Sequence, residues 1–322
     1  MGNSQCCTNS TDDTSELKRS IVEGQFGGKD QDVEKANKEL YELHRPSESK
    51  ALKSDLHDVN SKVQAVINQI GKYHYDERLG MMSSDLPTLG PYKYEDGCTY
   101  RGQYKKGLRH GMGAAVWRDG SIYEGFWNMD QPDLKGRIIY KNGDYYEGEI
   151  SNGVPEGDGK SQTAEGVIYY GSFYHGKPHG KGVEKYADGT KYEGGFQNGL
   201  KTGTGTISFP DGRQYEGQFK DSVIHGEGKE TYPDGRTFEG IFVKNKKDGK
   251  GKFKWPDGKV YEGNYKDDKK EGYGVFTWPN GKVYKGNWSN GKMEGEGEMK
   301  ESDGRVITGL WRNGIHENEA RA

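Results

Sequence analysis

Tyr192-Glu193-Gly194-Gly195-Phe196-Gln197-Asn198-Gly199-Leu200-Lys201-Thr202-Gly203-Thr204-Gly205-Thr206-Ile207-Ser208-Phe209-Pro210-Asp211-Gly212-Arg213-Gln214 is one of a series of 23-residue segments that follow one another without a gap. The opening aromatic recurs at Tyr100, Tyr123, Tyr146, Tyr169, Tyr192, Tyr215, Phe238, Tyr261 and Tyr284, and Ile307 takes its place in the last copy. Glycine stands two residues later in every copy, and the columns Gly113 to Gly297 and Gly120 to Gly304 are also all glycine. A fixed period of this length means a repeat architecture, which has to be settled before any short motif is interpreted.

Within the quoted copy, Tyr192, Gly194 and Phe196 alternate with Glu193 and Gly195, which is the period of a strand with one apolar face. Gly205, Ile207 and Phe209 alternate with Thr204, Thr206 and Ser208 as a second strand, and Pro210-Asp211-Gly212 closes it as a turn. Each copy is therefore a β-hairpin, and successive hairpins form an antiparallel meander. The glycines share the aromatic face, where bare backbone leaves room for the large rings. On that reading Gly205→Val disrupts packing, whereas Gly195→Val, on the other face, is milder. One hairpin alone is marginal, so neighbouring copies must stack to bury their rings. The expected fold is mainly β: an elongated, curved, single-layer meander with the aromatic face lining a gutter, preceded by a short helical segment.

The run Tyr192-Glu193-Gly194 … Gly203-x-Gly205 … Asp211-Gly212, with the copies at Tyr169, Tyr215 and Tyr261, resembles the MORN (membrane occupation and recognition nexus) repeat. The resemblance covers residues 90–316. It implies a non-catalytic meander that binds proteins and, reportedly, anionic lipids. Such arrays resemble parts of cytoskeletal scaffolds, ciliary spoke heads, membrane junction proteins and regulatory segments of lipid kinases.

Composition agrees with a thin sheet: apolar residues are 30% of the chain, too few for a thick two-layer core. The net charge of −3 argues against nucleic acid as a partner. Three cysteines, two of them adjacent at Cys6 and Cys7, point to a reducing compartment rather than to a disulfide framework. No apolar run is long enough to span a bilayer.

Four regions are expected. Residues 1–28 form a flexible tail, 29–75 a helical segment, 76–89 a linker and 90–317 the array. In the tail, Gly2 is the acceptor that N-myristoylation requires, although Cys6 stands where the usual pattern has Ser or Thr. One acyl chain holds a membrane marginally, and palmitoylation of Cys6 and Cys7 would supply the second signal. The alternative is a start sequence with incidental cysteines. Further on, Val33, Ala36, Leu40 and Leu43 mark a short helix ended by Pro46. Leu52, Leu56, Val59, Val63, Val66 and Ile70 then mark a longer one over 48–72, with Ser47 as N-cap and Gly71 as stop. Its narrow stripe is expected to dock on the chain's own aromatic gutter or on the preceding helix. Two copies depart from the pattern. Asp130-Gln131-Pro132-Asp133-Leu134 predicts a different hairpin turn, and Ser161 and Thr163 predict a thin ladder that bends or opens between 130 and 165.

No catalytic constellation, metal site or cofactor site is read in the chain. The Gly-x-Gly pairs recur on the period and lead into no helix, so they are not phosphate loops. His110, His179 and His225 occupy one turn column. His175 and His179 flank a single loop and read as turn residues. The Glu column (Glu124, Glu147, Glu193, Glu216, Glu239, Glu262) faces solvent, where carboxylates lack the desolvation that acid–base work needs.

The candidate partner groove is the ring strip Tyr104, Trp127, Phe173, Phe196, Phe219, Phe242, Tyr265 and Trp288, which is too large an apolar surface to leave wet. A helix or peptide of a partner protein is the expected occupant. Arg213, Arg236, Lys259, Lys282 and Arg305 follow the turns of five successive copies. They read either as solubilising charge or as contacts to anionic lipid such as phosphoinositides, and Lys244, Lys246, Lys247, Lys266, Lys269 and Lys270 crowd the opposite turns. The expectation is a monomeric, non-catalytic scaffold tethered to the cytoplasmic face of a membrane. The alternatives are a structural element of a cilium or cytoskeletal assembly and an accessory subunit of a lipid kinase or other enzyme.

Overall fold

The computed structural model describes residues 59–81 and 83–318. Gly2, Cys6 and Cys7 lie outside the described residues, as do the helix expected around Val33–Leu43 and the stripe residues Leu52 and Leu56. Among the described residues twenty-one strands, from β1 (Thr88–Lys93) to β21 (Ile315–His316), form an antiparallel meander. They fall into two compact units, one ending at Lys177 and the other starting at Pro178.

In the second unit the quoted copy shows how every hairpin is built. Strand β10 (Lys191–Gln197) turns through Asn198 and Gly199, both at positive φ, into β11 (Leu200–Ser208). Paired positive φ values give the turn whose twist matches that of the strands. The pairing then steps from Gly194↔Gly205 to Gly195↔Thr202, so β11 carries extra residues as a β-bulge at Gly203, φ 65. The Tyr192 hydroxyl donates to the Gly195 carbonyl at 3.0 Å, next to this step. To reach it the ring lies flat over both glycines. A Cβ on Gly205 would stand 2.6 Å from that hydroxyl, and one on Gly194 would stand 2.4 Å from it. The glycine columns are thus the floor on which each tyrosine lies.

Stacking of copies is equally regular. Phe219 packs edge-on against Tyr192 of the preceding copy, 4.8 Å between centroids, and against Tyr215 of its own, 5.4 Å. The same alternation runs through Phe242, Tyr265, Trp288 and Trp311, making one row of rings. The far turns are tied to one another as well. Asn245 accepts from the backbone N–H of Ile224 at 2.8 Å, Asp268 does so for Lys247 at 2.9 Å, and Ser222 for Lys201 at 3.1 Å.

Among the described residues the first unit holds β1 (Thr88–Lys93) to β8 (Ile168–Tyr174) and the helices α1 (Ser61–Ile70) and α2 (Glu77–Met81). Ladder pairing is continuous from β4 (Ile122–Asn128) to β8, so the thin ladder expected between 130 and 165 is not found. Nor does the turn after Asn128 differ. Met129 and Asp130 take φ 47 and 71, as in the glycine-bearing copies, and Leu134 occupies the bulge position at φ 62. Asp130 accepts from the Arg109 N–H at 2.9 Å, and that bond supports a conformation glycine usually supplies.

Helix α1 begins later than the stripe predicts. Asn60, not Ser47, caps the described helix, accepting from the N–H groups of Lys62 and Val63 at 3.0 Å each, and Gly71 ends it as expected. It docks on the sheet, but not on the aromatic gutter. Val63, fully buried, meets Val116, Ile122, Ile139 and Tyr145, with Val59, Val66, Ile67 and Ile70 around them. Ile122 and Tyr145 each precede the inward Tyr123 and Tyr146, so they point to the opposite face. The physical reason is local composition. Val116 and Ile139 stand where later copies carry Gln162, Lys185 and Ser208, so these two columns are apolar on the outer face in these copies and polar further along.

The expected linker is also packed. Asp76 pairs with Lys135 at 3.0 Å, and buried Gln103 donates to the Ser83 carbonyl at 2.8 Å, while Tyr75, just before the linker, meets Phe126 edge-on at 5.7 Å.

Candidate functional site

The ring strip proposed for a partner is not a wet surface. Trp127, Phe173, Phe196, Phe219, Phe242, Tyr265 and Trp288 are all buried, and only Tyr104 is partly exposed. Trp127, Phe173, Phe219, Phe242, Tyr265 and Trp288 are each clamped edge-on between two rings of the opening column, so the strip forms core of the sheet.

What the inner face of the second unit presents instead is a cleft of about 690 Å³. Its middle is apolar, with Ile207, Phe209 and Ile224, and each end is a buried polar cluster. At one end the Lys201 ammonium ion-pairs with Glu184 and donates to the Tyr186 hydroxyl at 2.5 Å, while that hydroxyl donates to the same carboxylate. The other end repeats the arrangement two copies later. Lys247 meets Glu230 at 2.6 Å and the Tyr232 hydroxyl at 2.8 Å, and Tyr232 donates to Glu230 at 2.5 Å.

Burial works against the charge on Lys201 and Lys247, but the carboxylate and phenol beside each hold both amines above the ordinary lysine value. Burial likewise opposes the charge on Glu230, and hydrogen bonds from Lys247, Tyr232 and Arg213 hold its carboxyl below the usual range. Arg213 joins this cluster at 3.1 Å while lying 4.1 Å over the Phe209 ring. Both clusters are pre-oriented, and buried pairs of this kind fix geometry more than they add stability.

The five basic residues considered for lipid contact are each matched by an acid. Arg213 pairs with Glu230, Arg236 with Asp234, Lys259 with Asp257, Lys282 with Glu301 and Arg305 with Asp303. The lysines grouped on the opposite turns divide. Lys246 and Lys266 are exposed and pair with Asp267 and Asp248, whereas Lys247 and Lys270 turn inward over aromatic rings. The Glu column does face outward, and Glu193, Glu216, Glu239 and Glu262 are exposed.

Sequence reasoning missed Glu184, Glu230, Lys201 and Lys247 as a set. The signal was present. Glu184 and Glu230 are the only acids in a column that otherwise reads Ala115, Ile138, Ser161, Ile207, Phe253, Phe276 and Met299, each has tyrosine two residues on, and each has lysine seventeen residues on.

The fold and this face together define a single-layer antiparallel repeat meander with an aromatic spine. The MORN repeat family matches nine consecutive segments, residues 100–122, 123–145, 146–166, 169–191, 192–212, 215–235, 238–260, 261–283 and 284–304. The chain belongs to the MORN-repeat proteins. No curated protein matches it.

Among solved structures, the SAS-4 (dCPAP) TCP domain of Drosophila melanogaster, in complex with a proline-rich motif of Ana2, is 12% identical. The match covers 48% of this chain and 85% of that one, at a TM-score of 0.32. The TCP10 domain of Danio rerio CPAP is 18% identical over 61% of this chain and 93% of that one, at 0.24. Virginiamycin B lyase of Staphylococcus aureus is 12% identical over 71% and 85%, at 0.14. At these scores the likenesses carry no functional argument.

Proposed function

We propose that the chain is a non-catalytic scaffold whose second unit receives a segment of a protein partner in the cleft over Phe209. The observation that carries this reading is the half-buried apolar seat of Ile207, Phe209 and Ile224 held between two pre-oriented charged clusters. Apolar anchoring in the middle with polar groups at the rim is the anatomy of a peptide-binding groove.

Acylation at Gly2 with Cys6 and Cys7 places the scaffold at the cytoplasmic face of a membrane in this reading. The acid beside every member of the basic row favours a protein partner over lipid headgroups.

Selection of random dodecapeptides on the full chain tests the cleft. Binders that lose affinity for Phe209→Asp and Ile224→Asp, with thermal midpoints retained, are the expected result. Binders indifferent to both substitutions would place the partner elsewhere, and a selection that returns no binders would remove the reading.

A further inference from the structure

The inner column that contains Lys201 and Lys247 contains a third lysine, Lys270, one repeat beyond Lys247. Where the sister copies supply Glu184 and Glu230, this copy has Phe253, and where they supply Tyr186 and Tyr232 it has Trp255. The acid and the phenol are both gone. The Lys270 ammonium stands instead among rings, 4.6 Å from the centroids of Phe276 and Trp288, 5.0 Å from Tyr261 and 5.2 Å from Trp255. Among the described residues no carboxylate pairs with it. Burial pulls this amine down to about 8. Rings attract a cation but leave its hydrogen-bond donors unused.

We propose that Lys270 is the anchor for an acidic side chain of the bound partner peptide, whose carboxylate gives this copy the ion pair that Glu184 and Glu230 give the other two. The proposal rests on the cleft reading and adds the chemistry and position of a second anchor. Lys270 is half-buried and flanked by the indole rings of Trp255 and Trp288, a setting that suits an inserted side chain better than a planar membrane surface.

The distance sets the spacing of the ligand. Ile224 and Lys270 share a column two repeats apart, which is four strands, or roughly 19 Å. An extended segment covers that in about six residues and a helix in about thirteen. An apolar residue over Phe209 and Ile224 and an acidic one on Lys270 are therefore separated by one of those two intervals.

The dodecapeptide selection is repeated alongside a second library long enough for the helical interval. Enrichment of Asp or Glu at one fixed interval from an apolar residue is expected. Affinity should fall roughly tenfold or more for Lys270→Met and by a similar factor for Phe253→Glu, which installs the sister copies' acid in cis. Lys270→Arg should retain binding. Because binding uses the protonated amine, wild-type affinity should be full below pH about 8 and decline as the pH rises from about 8 to about 9.5, while that of Lys270→Arg stays level.

Peptides that need Phe209 but show no acidic enrichment and bind Lys270→Met equally would overturn the anchor and leave the cleft reading standing. A selection with no binders overturns both. Phosphatidylserine vesicles that bind the wild type but not Lys270→Met would overturn the peptide in favour of lipid.

Discussion

Tyr192 and Gly205 explain why the repeat tolerates so little change. The tyrosine hydroxyl must pass over the glycine to reach the Gly195 carbonyl, and any side chain at Gly205 meets the ring below 3 Å. Gly205→Val should lower stability by about 2–4 kcal/mol. Gly203, two residues away, faces open space and is constrained only by its φ of 65, so Gly203→Ala should cost about 1 kcal/mol. Thermal or urea melts of the two variants separate crowding from backbone strain, and equal losses would contradict this account. Gly195 is not the mild site that alternation predicts, because a Cβ there stands 2.5 Å from the Thr202 carbonyl oxygen. The bulge brings that carbonyl round to a face that alternation leaves open.

The buried clusters make a second residue-scale prediction. Lys247→Met leaves Glu230 buried without its buried cation and should destabilise by about 3–5 kcal/mol. The Glu230 carboxyl is held below its unfolded value of 4.5, so its contribution is present above that pH and is lost as the pH falls through the lower folded value. The acid limb of stability should be shallower in Glu230→Gln than in the wild type, which a pH series of denaturant midpoints would show.

At the scale of elements, the docking of α1 was half legible. The stripe from Val59 to Ile70 predicted a helix that packs on its own chain, and it does. The face was misjudged because the rings of the gutter strip already pack on one another, whereas Val116, Ile122 and Ile139 leave an apolar patch on the other face that matches the stripe. The outer face could have been found from the columns, since Val116, Ile122, Ile139 and Phe126 stand where other copies carry Gln162, Lys191, Lys185 and Gln218. Removing residues 30–75 should uncover that patch and raise binding of an apolar dye, while leaving peptide binding at the cleft unchanged. Val63→Asp should reproduce the dye signal in the full chain. No rise in either variant would contradict the docking. The turns offer a comparable lesson. Pro132, Pro155 and Pro178 are each followed twenty-one residues later by glycine. Arg109, Lys201, Ile224 and Lys247, which have an N–H to offer, are followed by Asp130, Ser222, Asn245 and Asp268, which accept from it.

For the molecule as a whole, the proposed membrane attachment rests on Gly2, Cys6 and Cys7. Gly2→Ala, or Cys6→Ser with Cys7→Ser, should shift the protein from membrane to soluble fractions, because one lipid alone holds weakly. An unsubstituted chain that is fully soluble and unacylated by intact mass would refute the tether. The sequence by itself determined the repeat, its hairpins and the need for stacking, because period, alternation and glycine columns are local properties that every copy restates. Only the tertiary structure decided which apolar surfaces stay exposed. Ring clamping across copies buries the strip that a single repeat leaves open, and pairs such as Glu230 with Lys247 form between strands of successive copies, where alternation within one strand does not reach.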